Sequence, residues 1–147
     1  MVFKRGEKDF YKAEIGDEFE PLEMTITKEM AMRNCWSIDD YNPWYMEDSP
    51  WGGRIVSPMQ PVIGQNPSVW GYYAPARAAL HTQQEFEFIN PLKIGKKITV
   101  SGKLVDKYVK RGRTYIVSEH LVTDEDGNKI CVMRKTGCSS FVDPPEK

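Results

Sequence analysis

Residues 113–142 read RTYIVSEHLVTDEDGNKICVMRKTGCSSFV, and this stretch decides the fold. Arg113 to Thr123 and Asn128 to Val142 are rich in valine, isoleucine, threonine and tyrosine, which favour strands. Asp126-Gly127 lies between them, and this dipeptide is typical of a hairpin turn. The two strands are therefore predicted to be antiparallel. At roughly 3.3 Å per residue, runs of about 11 and 15 residues make long strands that must curve to stay compact.

Two more strands are predicted before this hairpin. Lys97 to Tyr108 has the same strand-favouring composition, and Lys110–Gly112 forms a turn that connects it to the next strand. Glu85 to Ile89 alternates polar and apolar residues, which is the pattern of a strand with one buried face. The sequence therefore predicts an antiparallel meander.

A long curved sheet needs an element to wrap around. Ser57-Pro58 supplies an N-cap and a first helical position, and Met59 to about Asn66 would continue a helix. We therefore expect an α+β fold in which one long antiparallel sheet wraps around this central helix, within a single domain of residues 1–147. A second helix is predicted to start after Thr27 and to end near Ser37–Asp40, with Trp36 on its apolar side.

The segment between Tyr41 and Arg54 contains two prolines and two glycines. That number of breakers predicts an irregular loop, and this loop is rich in tryptophan and tyrosine. Loops of this composition often line binding sites.

The composition narrows the classes of function. Twenty basic residues balance 21 acidic ones, so the net charge gives no general reason to bind nucleic acid or an anionic membrane. No stretch approaches the roughly 18 uninterrupted apolar residues of a membrane span, and no secretory apolar core follows Met1, so a cytoplasmic protein is expected. Cys35, Cys131 and Cys138 lack metal-ligand spacing and are expected to be buried thiols, and no metal site is predicted.

Three motifs in sequence order carry a resemblance to a known family. They are residues 40–45 (DYNPWY), 53–59 (GRIVSPM) and 88–95 (FINPLKIG). With the long strands and the closing Asp-Gly hairpin, they resemble the MaoC-like enoyl-CoA hydratases and dehydratases, and specifically their FAS1-like dehydratase subclass. The resemblance implies a single hotdog fold and a reaction at the double bond of an acyl-CoA thioester. It implies no cofactor beyond the coenzyme A that the substrate carries.

The resemblance places acid–base chemistry in the first motif. Active members have Asp-x-Asn-Pro-x-His there, so Asp40 and Asn42 match and Tyr45 stands at the histidine position. A phenol with a pKa of about 10 is a poor general base at pH 7. His81 is considered as a displaced acid or base, although a lone histidine before a strand is also typical of hydrogen-bonded structure. His120, inside a predicted strand, is expected to be structural.

The second motif also departs from the active pattern. Active members use a glycine amide to polarise the thioester carbonyl, and Pro58 has no amide N–H at that position. The remaining residues of the motifs suit substrate binding. Arg111 and Arg113 are expected to contact the phosphates of coenzyme A. The predicted substrate-contacting residues are Trp44, Ile55, Val56, Ser57, Pro58, Met59, Arg111 and Arg113.

With these departures, the resemblance to the FAS1-like subclass implies a component of a hydro-lyase: a degenerate, substrate-binding subunit that pairs with a second, catalytic hotdog chain. A dimer is also expected because one hotdog leaves a sheet edge unpaired, and a homodimer, a heterodimer and a higher oligomer stay open. Two other functions remain open, namely a hotdog acyl-CoA thioesterase and a non-catalytic acyl-CoA-binding or scaffold protein. The expected ligand is an acyl-CoA thioester, and neither nucleic acid nor a membrane is an expected partner.

Overall fold

The computed structural model describes residues 2–3, 8–58, 73–74 and 79–139. The predicted central helix, Met59 to Asn66, lies outside the described residues, as do residues 140–142 of the last predicted strand. The elements are, in chain order, β1 (Val2–Phe3), β2 (Lys8–Asp9), a 3₁₀ turn (Phe10–Lys12), β3 (Glu18–Thr25), α1 (Lys28–Ser37), α2 (Pro43–Met46), β4 (Tyr73–Ala74), β5 (Ala79–Phe88), β6 (Lys97–Lys110), β7 (Arg113–Asp124) and β8 (Lys129–Ser139).

Six of these strands form one sheet in the order β1-β3-β6-β7-β8-β5. Every neighbouring pair is antiparallel except β1 and β3, which pair in parallel over two residues. At 14, 12 and 11 residues, β6, β7 and β8 are the long central strands. The predicted antiparallel meander is therefore confirmed.

Turn chemistry sets the register of this meander. At the β6–β7 connection, Arg111 and Gly112 have φ angles of 52° and 68°, as a tight two-residue hairpin requires. At the β7–β8 connection, Gly127 has a φ of 83° and its amide donates to the carbonyl of Asp124 at 3.0 Å. The carboxylate of Asp124 accepts from the amide of Asp126, also at 3.0 Å. Both predicted turns therefore form where the sequence places them.

The sequence pattern does not predict β3. Its composition, EFEPLEMT, is rich in glutamate and contains a proline, both of which are rare in strands. The register between β3 and β6 shifts between Phe19 and Leu22, so Pro21 lies in an irregularity where a missing amide N–H is tolerated. Phe19 is nevertheless buried, so β3 contributes to the core.

Helix α1 begins as predicted but packs a different face against the core. The side chain of Thr27 accepts from the amide of Met30 at 3.2 Å and caps the helix. Ala31 and Cys35 are buried. The prediction for Trp36 is wrong, because its side chain is 58% exposed. Trp36 lies about 100° around the helix from Cys35 and about 200° from Asn34, so it falls outside the buried side that these two residues define.

The core lies between one face of the sheet, α1 and the segments that follow α2. Its central cluster comprises Ile26, Ala31, Val56, Leu92, Ile98, Val100, Val122, Ile130, Cys131 and Met133. The three cysteines are buried as predicted. Burial raises the pKa of the Cys131 thiol to about 11. In the described part of the chain, no helix is long and apolar enough to cross a membrane, and no three candidate metal ligands cluster.

One histidine is packed inside the sheet. His120 on β7 lies directly opposite Gly102 on β6 and is 3% exposed. Its ring occupies the space that a side chain at residue 102 would need, with Cε1 2.7 Å from the position of a Cβ there. The ring stacks on Phe19 with centroids 5.8 Å apart, and Nε2 is 2.9 Å from Oγ of Ser118. His120 is therefore a structural residue that depends on a glycine opposite it.

Candidate functional site

The first motif folds into a turn followed by one helical turn. The carboxylate of Asp40 accepts from the amide of Asn42 at 3.3 Å, and the side chain of Asn42 accepts from the amide of Trp44 at 3.0 Å. Asn42 therefore caps α2, and Pro43 is its first residue. The prediction of irregular structure throughout this loop is wrong at α2. The short helix fixes the position of Tyr45.

Tyr45 lies half-buried beside the second motif. Ser57 in that motif is 1% exposed. Burial, followed by the charge of Asp40, raises the pKa of Tyr45, while the side chain of Ser57 opposes this increase. The phenol therefore keeps its proton at neutral pH.

Backbone hydrogen bonds hold the second motif against the other two. The amide of Ile55 donates to the carbonyl of Trp44 at 3.0 Å, and the amide of Val56 donates to the carbonyl of Leu92 at 2.7 Å. Ile55, Val56 and Ser57 are buried as a result. The three motifs that are separate in sequence therefore meet in space.

The three motifs border an apolar cavity of about 270 Å³. Trp44 and Trp51 form one wall, with their rings edge to face and their centroids 5.3 Å apart. The described residues that line the cavity are Trp44, Tyr45, Trp51, Ile55, Val56, Pro58, Phe88, Ile89, Asn90, Pro91, Leu92 and Ile130. None of these has an ionised side chain at neutral pH, and the side-chain amide of Asn90 is used in a 2.9 Å bond to the carbonyl of Lys129. Such a cavity suits an apolar group with one polar attachment point.

Most of the predicted site residues lie together here. Those that line the cavity are Trp44, Tyr45, Ile55, Val56 and Pro58. Ser57 is buried between the lining residues Val56 and Pro58, and Asp40 and Asn42 form the turn that precedes α2. Met59 lies outside the described residues.

His81 does not line this cavity. It is exposed on β5, seven residues before the cavity residue Phe88. Seven residues of a strand span roughly 23 Å. Within one chain, His81 therefore lies at the far end of β5 from the cavity, and its role as a displaced acid or base stays a prediction.

The two predicted phosphate ligands, Arg111 and Arg113, are also distant. Val122 lies on β7 close to the cavity end of the sheet, and Arg113 is nine residues away along the same strand, or roughly 30 Å. Moreover, the guanidinium of Arg113 donates to the carbonyl of Ser139 at 3.0 Å. Within one chain, the long β6–β7 hairpin carries these arginines to the end of the sheet away from the cavity, and their contact with the phosphates of coenzyme A stays a prediction.

Sequence reasoning missed part of the wall. Trp51, Ile130 and the segment Phe88–Leu92 line the cavity but were not assigned to it. The third motif contains that segment, so its resemblance to the family pattern was a usable signal. Ile130 lines the cavity because of the pairing between strands. Its carbonyl accepts from the amide of the lining residue Ile89 at 2.9 Å.

The chain matches one sequence family over most of its length. The matching family is described as FAS1-like, dehydratase domain region, and the match covers residues 13–133. Among curated proteins, none matches this sequence significantly.

Solved structures with the same fold include three dehydratases and hydratases. R-Hydratase PhaJ1 from Pseudomonas aeruginosa has a TM-score of 0.72 at 14% identity, covering 95% of this chain and 94% of that chain. A MaoC-like dehydratase from Rhodospirillum rubrum has a TM-score of 0.74 at 14% identity, covering 92% and 98%. The HadBC (3R-hydroxyacyl-ACP dehydratase) complex from Mycobacterium tuberculosis has a TM-score of 0.73 at 15% identity, covering 87% and 99%.

The long antiparallel sheet and these likenesses define a hotdog protein with the fold of the MaoC-like dehydratases, which confirms the predicted fold class. More narrowly, the chain belongs to the FAS1-like dehydratase domain family, because that match covers most of the sequence.

Proposed function

We propose that this chain is the substrate-binding subunit of a hydro-lyase, and that its cavity holds the acyl group of a CoA thioester. The observation that carries this proposal is the apolar cavity at the meeting point of the three family motifs. An acyl chain is apolar, and the thioester carbonyl provides the single polar group that such a cavity can accommodate. Membership of the FAS1-like dehydratase family supports the same substrate class.

The proposed role is binding because the cavity lacks a base. Tyr45 stands where active members of the family have a histidine, and its raised pKa keeps it protonated. Pro58 cannot supply an amide donor to a developing oxyanion. We assign the proton transfers to a second hotdog chain, in line with the HadBC dehydratase, whose structure is a complex. A thioesterase role is less well supported, since no described lining residue carries a carboxylate.

Isothermal titration with butyryl-CoA tests this assignment. Trp51→Ala is expected to weaken binding about tenfold, because the variant removes one half of the edge-to-face pair that walls the cavity. Trp36→Ala is the matched control, since Trp36 is exposed on α1 and does not line the cavity.

Equal affinity in the wild type and Trp51→Ala would place the acyl group elsewhere. Turnover of crotonyl-CoA gives a second check. Fast hydration by the purified chain alone would show that it is itself the catalytic subunit.

The proposed partner would join at the sheet edge formed by β5. Leu80, Phe86, Phe88 and the neighbouring Ile89 are between 36% and 50% exposed along it. A long edge with apolar side chains favours pairing with another strand. We therefore propose a homodimer or a heterodimer with a second hotdog chain.

A proline on this edge tests the assembly. The amide of Ile89 donates to β8, and amides alternate in direction along a strand, so the amide of Phe86, three residues earlier, points away from β8. Phe86→Pro is therefore expected to weaken self-association or partner binding at least tenfold in sedimentation velocity. Phe86→Leu keeps the amide and an apolar side chain, so it should assemble like the wild type. A wild-type chain that sediments as a monomer at high concentration and recovers no hotdog partner would contradict the proposal.

A further inference from the structure

We infer that the open edge of β5 pairs with a strand that carries lysine or arginine on its outer face, and hence with a different chain instead of a second copy of this one. This inference rests on the proposed function, which joins a second hotdog chain to this edge. It adds the chemistry by which that partner is recognised.

The two faces of β5 differ in charge. Phe86 and Phe88 lie directly opposite residues of β8 that belong to the core cluster, so both phenylalanines are on the core face of the sheet. Their rings stack with centroids 5.5 Å apart. Glu85 and Glu87 alternate with them and therefore lie on the outer face, where both are exposed. The open edge thus presents aromatic rings on one face and carboxylates on the other.

Along one row of the outer face, charges alternate in sign across five strands. Each member of the row is directly opposite the next, and the members are, in spatial order, Glu18 on β3, Lys103 on β6, Glu119 on β7, Arg134 on β8 and Glu85 on β5. Opposite charges on directly opposed residues stabilise a sheet, and like charges destabilise it. The row ends on the carboxylate of Glu85 at the open edge. A further strand therefore continues the alternation only with a positive charge.

Glu87 adds a second carboxylate on the same face. Its directly opposed residue on β8 is Val132, which carries no charge. The side-chain amide of Gln83 donates to Glu85 at 2.6 Å, and this bond orients the carboxylate without cancelling its charge. A strand added at this edge therefore meets two carboxylates that are two residues apart.

Self-pairing of β5 would bring these carboxylates together. In an antiparallel pair of identical strands, a register that sets Phe86 opposite Phe86 also sets Glu85 of each copy opposite Glu87 of the other. A register that sets Phe86 opposite Phe88 sets Glu87 opposite Glu87. The register between these two would set the phenylalanines of one copy opposite glutamates of the other. Covering Phe86 with an aromatic ring of a second copy therefore costs like-charge repulsion, which a partner with lysine or arginine at these positions avoids.

Sedimentation velocity of two charge variants tests this inference. The double variant Glu85→Gln, Glu87→Gln removes the repulsion, so it should self-associate about tenfold more tightly than the wild type. The double variant Glu85→Lys, Glu87→Lys makes the edge basic. An equimolar mixture of it with the wild type should form a 1:1 dimer about tenfold more tightly than either form alone, and this advantage should shrink in about 1 M salt.

The matched control is the double variant Glu23→Gln, Glu29→Gln, which makes the same change in net charge on β3 and α1 and should leave self-association unchanged. A wild type that dimerises as tightly as the glutamine variant of β5 would overturn the inference, as would a mixture no tighter than its separate forms. Either result would leave the acyl assignment intact, because butyryl-CoA binding is measured independently. Charge-dependent pairing without butyryl-CoA binding would overturn the proposed substrate and support the inferred recognition at the edge.

Discussion

Replacing Gly102 with alanine is expected to lower the free energy of unfolding by about 3 kcal/mol, the upper end of the usual cost of overpacking a core. A Cβ at this position would lie 2.7 Å from Cε1 and 3.1 Å from Cγ of the His120 ring. The ring cannot move away easily, because it is buried and stacks on Phe19. Urea denaturation followed by circular dichroism measures the effect.

A double-mutant cycle isolates the cause of this loss. If the clash with the ring is responsible, Gly102→Ala should cost much less in a His120→Ala background than in the wild type. Ser101→Ala is the control, since it changes the adjacent residue on the opposite face of β6. Additive effects of Gly102→Ala and His120→Ala would show that the cost comes from the backbone of β6 and not from the ring.

Lowering the pH is expected to destabilise the protein through the same histidine. Burial, together with the charge of Lys135, lowers the pKa of His120 from 6.5 to about 4. Between these values the unfolded chain binds a proton that the folded chain excludes, so stability falls as the pH decreases from about 6.5 to 4. The contribution of His120 is present in full above pH 6.5, and its loss by pH 4 amounts to about 3 kcal/mol.

The measurement is the midpoint of urea unfolding at several values of pH, compared with His120→Gln. The variant has no imidazole to titrate, so its stability should depend less on pH across this window, whatever its stability at pH 8. His81→Gln provides the control, because His81 is exposed on β5 and its removal should leave the profile unchanged. Parallel profiles for the wild type and His120→Gln would show that His120 does not govern the acid sensitivity.

The meander was predictable because its signals are local. Runs of β-branched residues and a turn such as Asp126-Gly127 act within a few residues of each other. The strand β3 was not predictable in this way, because Pro21 and its glutamates oppose a strand and only pairing with β6 compensates for them. Trp36 was misplaced because a 10-residue helix has several plausible apolar sides until its neighbours are known.

In the candidate site, too, the residues in short motifs were predictable, and those placed by the pairing of distant strands were not. Trp44, Tyr45 and the segment Ile55–Pro58 were found because they lie in short motifs. Arg111 and His81 were assigned by chemistry alone, and residue type does not indicate which end of a long strand a side chain will occupy. Ile130 belongs to the cavity through register, which is a property of the paired sheet.

The strand order also determines when the cavity can form during synthesis. The central strands β6, β7 and β8 follow one another along the chain and are joined by short turns, so their hairpins can form within microseconds of emerging. The outer strands pair across long sequence separations, with Thr25 opposite Lys97 and Phe88 opposite Cys131, and such contacts form more slowly. Trp44 and Trp51, which form one wall of the cavity, are translated before the central strands. A nascent chain therefore lacks this cavity until β8 has left the ribosome, and until then Trp44 and Trp51 are without the opposite wall that Ile130 helps to form.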